Sequence, residues 1–115
     1  MFALKKTDKI LDRSEFIKLS KQGKKVQDHY FVVLFMPGIS TCPRMGITVS
    51  KRVGNAVERN RLKRLIREWF RTNKSAAGKI YDVNIIAKKT AAGLTYHQVA
   101  ESLEKLFHRL WGVRH

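Results

Sequence analysis

Acidic residues are scarce in this chain, cysteine is almost absent, and no apolar run is long. With 9 Asp plus Glu against 24 Lys plus Arg, the 115 residues have a formal net charge of +15 and an isoelectric point near 10.5. Such a charge repels itself unless something acidic is bound, so a polyanion is the expected partner. The single cysteine, Cys42, excludes an internal disulfide. Without a second thiol or a paired histidine spacing it makes no zinc site, and it is expected to be a small loop or strand-edge residue. The longest strongly apolar run, Tyr30 to Met36, has the length of a strand and falls far short of a spanning helix. Phe2, Ala3 and Leu4 are followed at once by Lys5 and Lys6, which leaves no room for a signal-peptide core. The expectation is therefore a cytoplasmic nucleic-acid binder with no membrane partner.

The groups that would cut nucleic acid are also missing. A protein nuclease needs a carboxylate cluster for metal ions or a positioned histidine base. Asp82 stands alone in the sequence, and Asp12, Glu15 and Asp28 sit in a basic N-terminal third without a metal spacing. His29, His97, His108 and His115 are scattered. No catalytic side chain and no metal site are expected.

What is present is enough apolar residue, 43%, for one compact core, and the length suits a single domain over residues 1–115. Asp12 with Glu15 reads as a helix start, Phe16 and Leu19 as its apolar stripe, and Gly23 as its stop. Val26 to Met36 is rich in β-branched and aromatic residues and ends in the turn signal Pro37-Gly38. Arg44 to Ser50 alternates partly around Met45, Ile47 and Val49, and the two segments together suggest an antiparallel pair. Asn55 with Glu58 forms a capping box for the longest helix, which runs to about Asn73. Ser75 to Gly78 reads as a linker, Ile80 to Ala87 as a strand, and Thr95 with Gln98 as the cap of a final helix. That helix carries Tyr96, Val99, Ala100, Leu103, Leu106, Phe107, Leu110 and Trp111 at helical spacing. Neither internal repeats nor low-complexity tracts interrupt the pattern, so helices and strands are expected around one sheet.

The long helix sorts its residues by chemistry. Leu62, Leu65, Ile66, Trp69 and Phe70 recur at the spacing that packs one face on a sheet. The opposite face gathers Asn60, Lys63, Arg64, Arg67 and Arg71, with Arg61 at its margin and only Glu68 as a nearby acid. A solvated face usually mixes signs so that charges four residues apart pair, whereas a one-sign ridge is the footprint of phosphate binding. Arginine suits the task because its guanidinium meets phosphate through two hydrogen bonds. Lys51 and Arg52 lie just before the helix N-terminus, whose backbone N–H groups and dipole attract phosphate, so strand end and helix start are candidates for one site. Asn60 costs helix propensity and adds no charge, which favours a specific hydrogen bond for it.

The run KRVGNAVERNRLKRLIRE, Lys51 to Glu68, resembles the signature of the bacterial ribonuclease P protein subunit, centred on Arg59-Asn60-Arg61. The resemblance extends over nearly the whole chain, from the helix with Phe16 ahead of Gly23 to the strand ending in Lys88-Lys89 and the final helix. It implies an α/β domain of order αβββαβα with a left-handed βαβ crossover, against the usual handedness. It also implies an endoribonuclease in which a large RNA subunit is the catalyst, with Mg2+ held mainly by that RNA. By that resemblance the holoenzyme would remove the 5′ leader of precursor tRNA, and the protein alone would be inactive. By the same resemblance Arg59, Asn60, Arg61, Lys63, Arg64 and Arg67, joined on the ridge by Arg71, would face the catalytic RNA. Phe16, Lys51, Arg52, Lys88 and Lys89 match positions of a cleft for the single-stranded leader, where stacking and charge combine. The sequence departs from the family pattern at Ser20 and Leu34, where aromatics are frequent. Phe31 or Phe35 could substitute, although ordinary burial preference puts both in the core. The net charge also leads us to expect stabilisation of the free protein by sulfate or phosphate. A ribosomal or architectural RNA-binding protein would fit the charge equally well, and only the extended motif separates the two readings.

Overall fold

The computed structural model describes residues 13–38, 44–73 and 81–112. Asp12, Cys42, the Ser75 to Gly78 linker, Ile80, His115 and the side chain of Trp111 lie outside the described part. The elements follow in the order α1 (Arg13–Gln22), β1 (Lys24–Gln27), β2 (Phe31–Pro37), β3 (Arg44–Thr48), α2 (Ala56–Asn73), β4 (Tyr81–Ala87), a 3-10 turn (Lys89–Ala91) and α3 (Tyr96–Gly112). The order αβββαβα expected from the resemblance is therefore present.

Two expectations about the strands are corrected. Val26 to Met36 is two strands, because the Asp28 carboxylate accepts hydrogen bonds from the Tyr30 and Phe31 N–H groups at 2.8 Å and turns the chain. The hairpin so formed joins β1 to β2, with Val26 opposite Val33. The expected antiparallel pairing of the second and third segments does not occur. The sheet order is β1-β2-β4-β3, so β4 lies between them, antiparallel to β2 and parallel to β3. The physical reason is burial: in β4, Asp82, Val83, Asn84 and Ile85 are all buried, as a central strand requires, and a parallel neighbour needs the long connection that α2 supplies.

Alternation divides the sheet into two faces. Phe31, Val33, Phe35, Met45, Val83 and Ile85 point to one, where Leu62, Ile66, Trp69 and Phe70 of α2 and Leu103, Leu106, Phe107 and Leu110 of α3 close the core. Trp69 meets Phe107 edge-on, with ring centroids 4.9 Å apart, which ties the two helices together. Register places Val32, Leu34, Thr48, Asn84 and Ile86 on the other face, and α1 packs there through Leu19, its one fully buried residue. Both caps read from sequence form: the Glu58 carboxylate accepts from Asn55 N–H while Asn55 Oδ1 accepts from Glu58 N–H, each at 2.9 Å, and Thr95 and Gln98 reciprocate at the start of α3.

Candidate nucleic-acid interface

The α2 helix carries its charge where its apolar stripe forces it. Leu62, Ile66, Trp69 and Phe70 are nearly inaccessible, which turns Asn60, Arg64 and Arg67 outward into solvent and leaves Lys63 half-covered. Among the described residues, Asn60, Lys63, Arg64 and Arg67 have no internal hydrogen-bond or ion-pair partner. Three other arginines are partly engaged. Arg59 donates to the Gly54 carbonyl at 3.2 Å, Arg61 donates to the Leu94 carbonyl at 2.8 Å, and Arg71 pairs with Glu68. Arg61 thereby bridges α2 to the turn before α3, whose Gly93 takes a φ of +79° that side-chain-bearing residues rarely adopt. The ridge thus splits into a free middle and anchored ends, a division that a helical wheel does not contain.

Lys51 and Arg52 are exposed in the turn between β3 and α2, pinned beneath by buried Val53. Because β3 and β4 are parallel, their C-terminal ends share one edge, so Lys88 and Lys89 leave the sheet on the same side as Lys51 and Arg52. Lys89 is exposed, whereas the Lys88 ammonium donates to the Asp28 carbonyl at 2.6 Å and helps fasten the hairpin turn. The start of α2 is not open to an anion in the simple sense expected, since Glu58 already occupies the Asn55 N–H and brings a negative charge. Cationic side chains, more than backbone N–H groups, make this edge positive.

A groove of about 810 Å3 runs between α1 and the far face of the sheet. Its wall is Arg13, Phe16, Ile17, Ser20 and Lys21, and its floor is Thr48, Asn84 and Ile86. The Phe16 ring lies over Gly46, close enough that a Cβ there would fall 2.4 Å from the ring. Of the five leader residues expected, Phe16 alone lines the groove, and the lysines and Arg52 follow the floor strands at their ends. Phe31 and Phe35 are buried on the core face and cannot replace the aromatics missing at Ser20 and Leu34. Arg13, Ile17, Lys21, Thr48, Asn84 and Ile86 were not among the expected residues. The wall residues follow one another at i, i+3, i+4, i+7 and i+8, so the helical wheel contained that face. The floor depended on strand pairing, which it did not.

Asp82, isolated in the sequence, is not isolated in space. Arg44 of β3 binds both its oxygens, at 3.1 and 2.9 Å, and reaches Glu15 of α1 at 2.5 Å. The Asp82 hydrogen bonds and then those of Glu15 hold the Arg44 guanidinium well above the usual arginine range, so it stays charged. These carboxylates are committed to arginine, and among the described residues no three metal-ligating side chains come together.

A family model described as ribonuclease P matches residues 4–111 of the chain. The chain belongs to the ribonuclease P protein family. It is 43% identical over 109 residues to the ribonuclease P protein component of Desulforapulum autotrophicum, covering 95% of this chain and 93% of that one. The fold is similar to that of an RNase P protein mutant from Staphylococcus aureus with defective mRNA degradation activity, with a TM-score of 0.85, 36% identity, and coverage of 91% and 89% of the two chains. The RNase P protein from Thermotoga maritima is similar at a TM-score of 0.80 and 36% identity, over 88% of this chain and 96% of that one. Ribonuclease P proteins are components of a tRNA-processing ribonucleoprotein, so the ridge and the groove belong to a protein that works with RNA. Among the described residues no helix is long and apolar enough to cross a membrane.

Proposed function

We propose that this chain docks on ribonuclease P RNA through the outer face of α2 and receives the single-stranded 5′ leader of precursor tRNA in the groove between α1 and the sheet. The observation that carries the reading is the separation of two surfaces. The cations Lys63, Arg64 and Arg67 project from one side of the sheet without internal partners among the described residues, while the groove walled by half-buried Phe16 opens on the other. The docking face works by neutralising phosphates and releasing counterions. Asn60 adds a hydrogen bond to sugar or base, and Arg59, Arg61 and Arg71 flank the contact while bracing the helix.

In the groove, Phe16 offers a stacking surface, and Arg13 and Lys21 offer charge to the backbone of a single strand. Lys51, Arg52 and Lys89 extend the positive path past the strand ends, and Lys88 contributes its charge from a fixed position. The RNA subunit performs the metal-dependent hydrolysis with its own Mg2+, and the protein raises affinity for substrates that still carry a leader. No step is assigned to a metal held by this chain.

Reconstitution tests the reading. Added to a bacterial ribonuclease P RNA at low magnesium, the protein restores endonucleolytic cleavage of precursor tRNA, and the protein alone cleaves nothing. Absence of stimulation at any magnesium level sinks the assignment and returns the chain to the class of architectural RNA binders. Sulfate or phosphate also raises the melting temperature of the free protein, since an anion relieves part of the +15 self-repulsion.

A further inference from the structure

Helix α1 forms a whole wall of the groove with a small share of the apolar core behind it. It is ten residues long, buries only Leu19 completely, and leaves Ile17 44% exposed. A helix of that length is marginal by itself, so its stance depends on contacts outside the apolar core. Among the described residues these contacts include the Phe16 ring on Gly46 and the ion pair of Glu15 with Arg44.

Arg44 is built for such a contact. Its Nε and Nη2 grip the two oxygens of Asp82 on central strand β4, which fixes the guanidinium plane to the rigid sheet. The same Nη2 donates to Glu15 Oε2 in the first turns of α1, next to Phe16. The three side chains are only 13%, 11% and 26% exposed, so salt screens the bridge weakly. Two of the 9 acidic residues are committed to this one arginine in a chain with 24 Lys plus Arg.

We propose that Arg44 is a positioning residue for the leader groove, joining β4 to α1 through Asp82 and Glu15 so that the wall carrying Phe16 stands at the separation a single nucleic-acid strand requires. The inference rests on the leader reading of the groove. Arg44 touches no substrate in this scheme and acts through Glu15. Loss of the Glu15 carboxylate leaves the Arg44–Asp82 pair and the sheet intact while α1 loses its ion pair to the sheet. Such a change alters the groove without altering the α2 docking face on the other side of the sheet.

The test uses the reconstituted holoenzyme with Glu15→Ala, which removes the acceptor for Arg44 Nη2, and, as reference, Phe16→Ala. Glu15→Ala raises Kd and KM for precursor tRNA about tenfold, comparable to the loss of one stacked base. It leaves kcat, binding of mature tRNA and binding of the catalytic RNA unchanged. A lost structural contact without a positioning role would instead lower melting temperature with no preference for leader-bearing substrate, and that result overturns the proposal. If Phe16→Ala discriminates precursor from mature tRNA and Glu15→Ala does not, the role of Arg44 falls alone. If Phe16→Ala itself weakens both tRNAs equally, the leader reading of the groove falls and takes this inference with it.

Discussion

The contact of Phe16 with Gly46 offers a perturbation whose size follows from the geometry. A Cβ added at Gly46 would lie 2.4 Å from Phe16 Cε1 and 2.5 Å from Cζ, and 3.3 Å from Asn84 Oδ1. Carbon atoms pack at about 3.5 Å or more, so the ring would have to retreat by about 1 Å. An aromatic ring does not bend, and its retreat means moving α1 against Leu19 and the Arg44 bridge. Overpacking of this kind costs about 1–3 kcal/mol, or roughly 4–12 °C in melting temperature for a domain of this size. In a Phe16→Ala background the obstruction is gone. Gly46 does not have positive φ, so Gly46→Ala there becomes neutral or stabilises by about 0.4–1 kcal/mol through the unfolded chain. Urea denaturation of the two single variants and the double variant measures the coupling. The expected interaction energy is about 1–3 kcal/mol, and single-variant effects that add to within about 0.5 kcal/mol refute the stated contact. In holoenzyme assays Gly46→Ala also reduces the preference for precursor over mature tRNA.

Other consequences follow from the same contacts. Lys88→Ala destabilises the protein by about 1–2 kcal/mol in urea melts because the half-buried Asp28 carbonyl loses its charged donor, whereas Lys89→Ala leaves stability within about 0.5 kcal/mol and weakens only precursor binding. Trp69→Ala removes the ring that joins α2 to α3 and costs about 3–5 kcal/mol, read by the same melts, with a loosened α2 as the visible effect in near-ultraviolet circular dichroism. Arg44 has its pKa raised in the folded state, so its contribution is fully present below the unfolded arginine value and is lost only as pH rises through the folded one. The stability difference between the parent and Arg44→Met therefore stays flat between about pH 7 and about pH 10, and a difference that shrinks over that range contradicts the bridge.

The parts of the fold that local chemistry specifies were legible in the sequence. Both capping boxes, the stop at Gly23 and the apolar stripe of α2 are written within a few residues of where they act. The pairing of strands was not, because β3 and β4 are joined only through α2 and nothing near Arg44 to Thr48 declares a parallel neighbour 38 residues on in sequence, as Arg44 and Asp82 are. The break at Asp28 was hidden for a related reason: its carboxylate turns the chain inside a run that reads as continuous β-former. The cationic ridge of α2 was visible because a helix wheel needs no partner. The groove was only half visible, its α1 wall following from periodicity and its Thr48, Asn84 and Ile86 floor from register. Arg61 and Lys88 looked like free cations and instead brace Leu94 and Asp28.

The central claim is that the free middle of the α2 ridge meets the catalytic RNA while the leader is held elsewhere. It is tested most directly by the salt dependence of binding between ribonuclease P RNA and the Arg64→Ala plus Arg67→Ala double variant. The account predicts weaker binding, a plot of log affinity against log salt flattened by about one unit per lost phosphate contact, and an assembled enzyme that still prefers precursor to mature tRNA. An unchanged affinity and slope, or intact RNA binding with that preference lost, would contradict it.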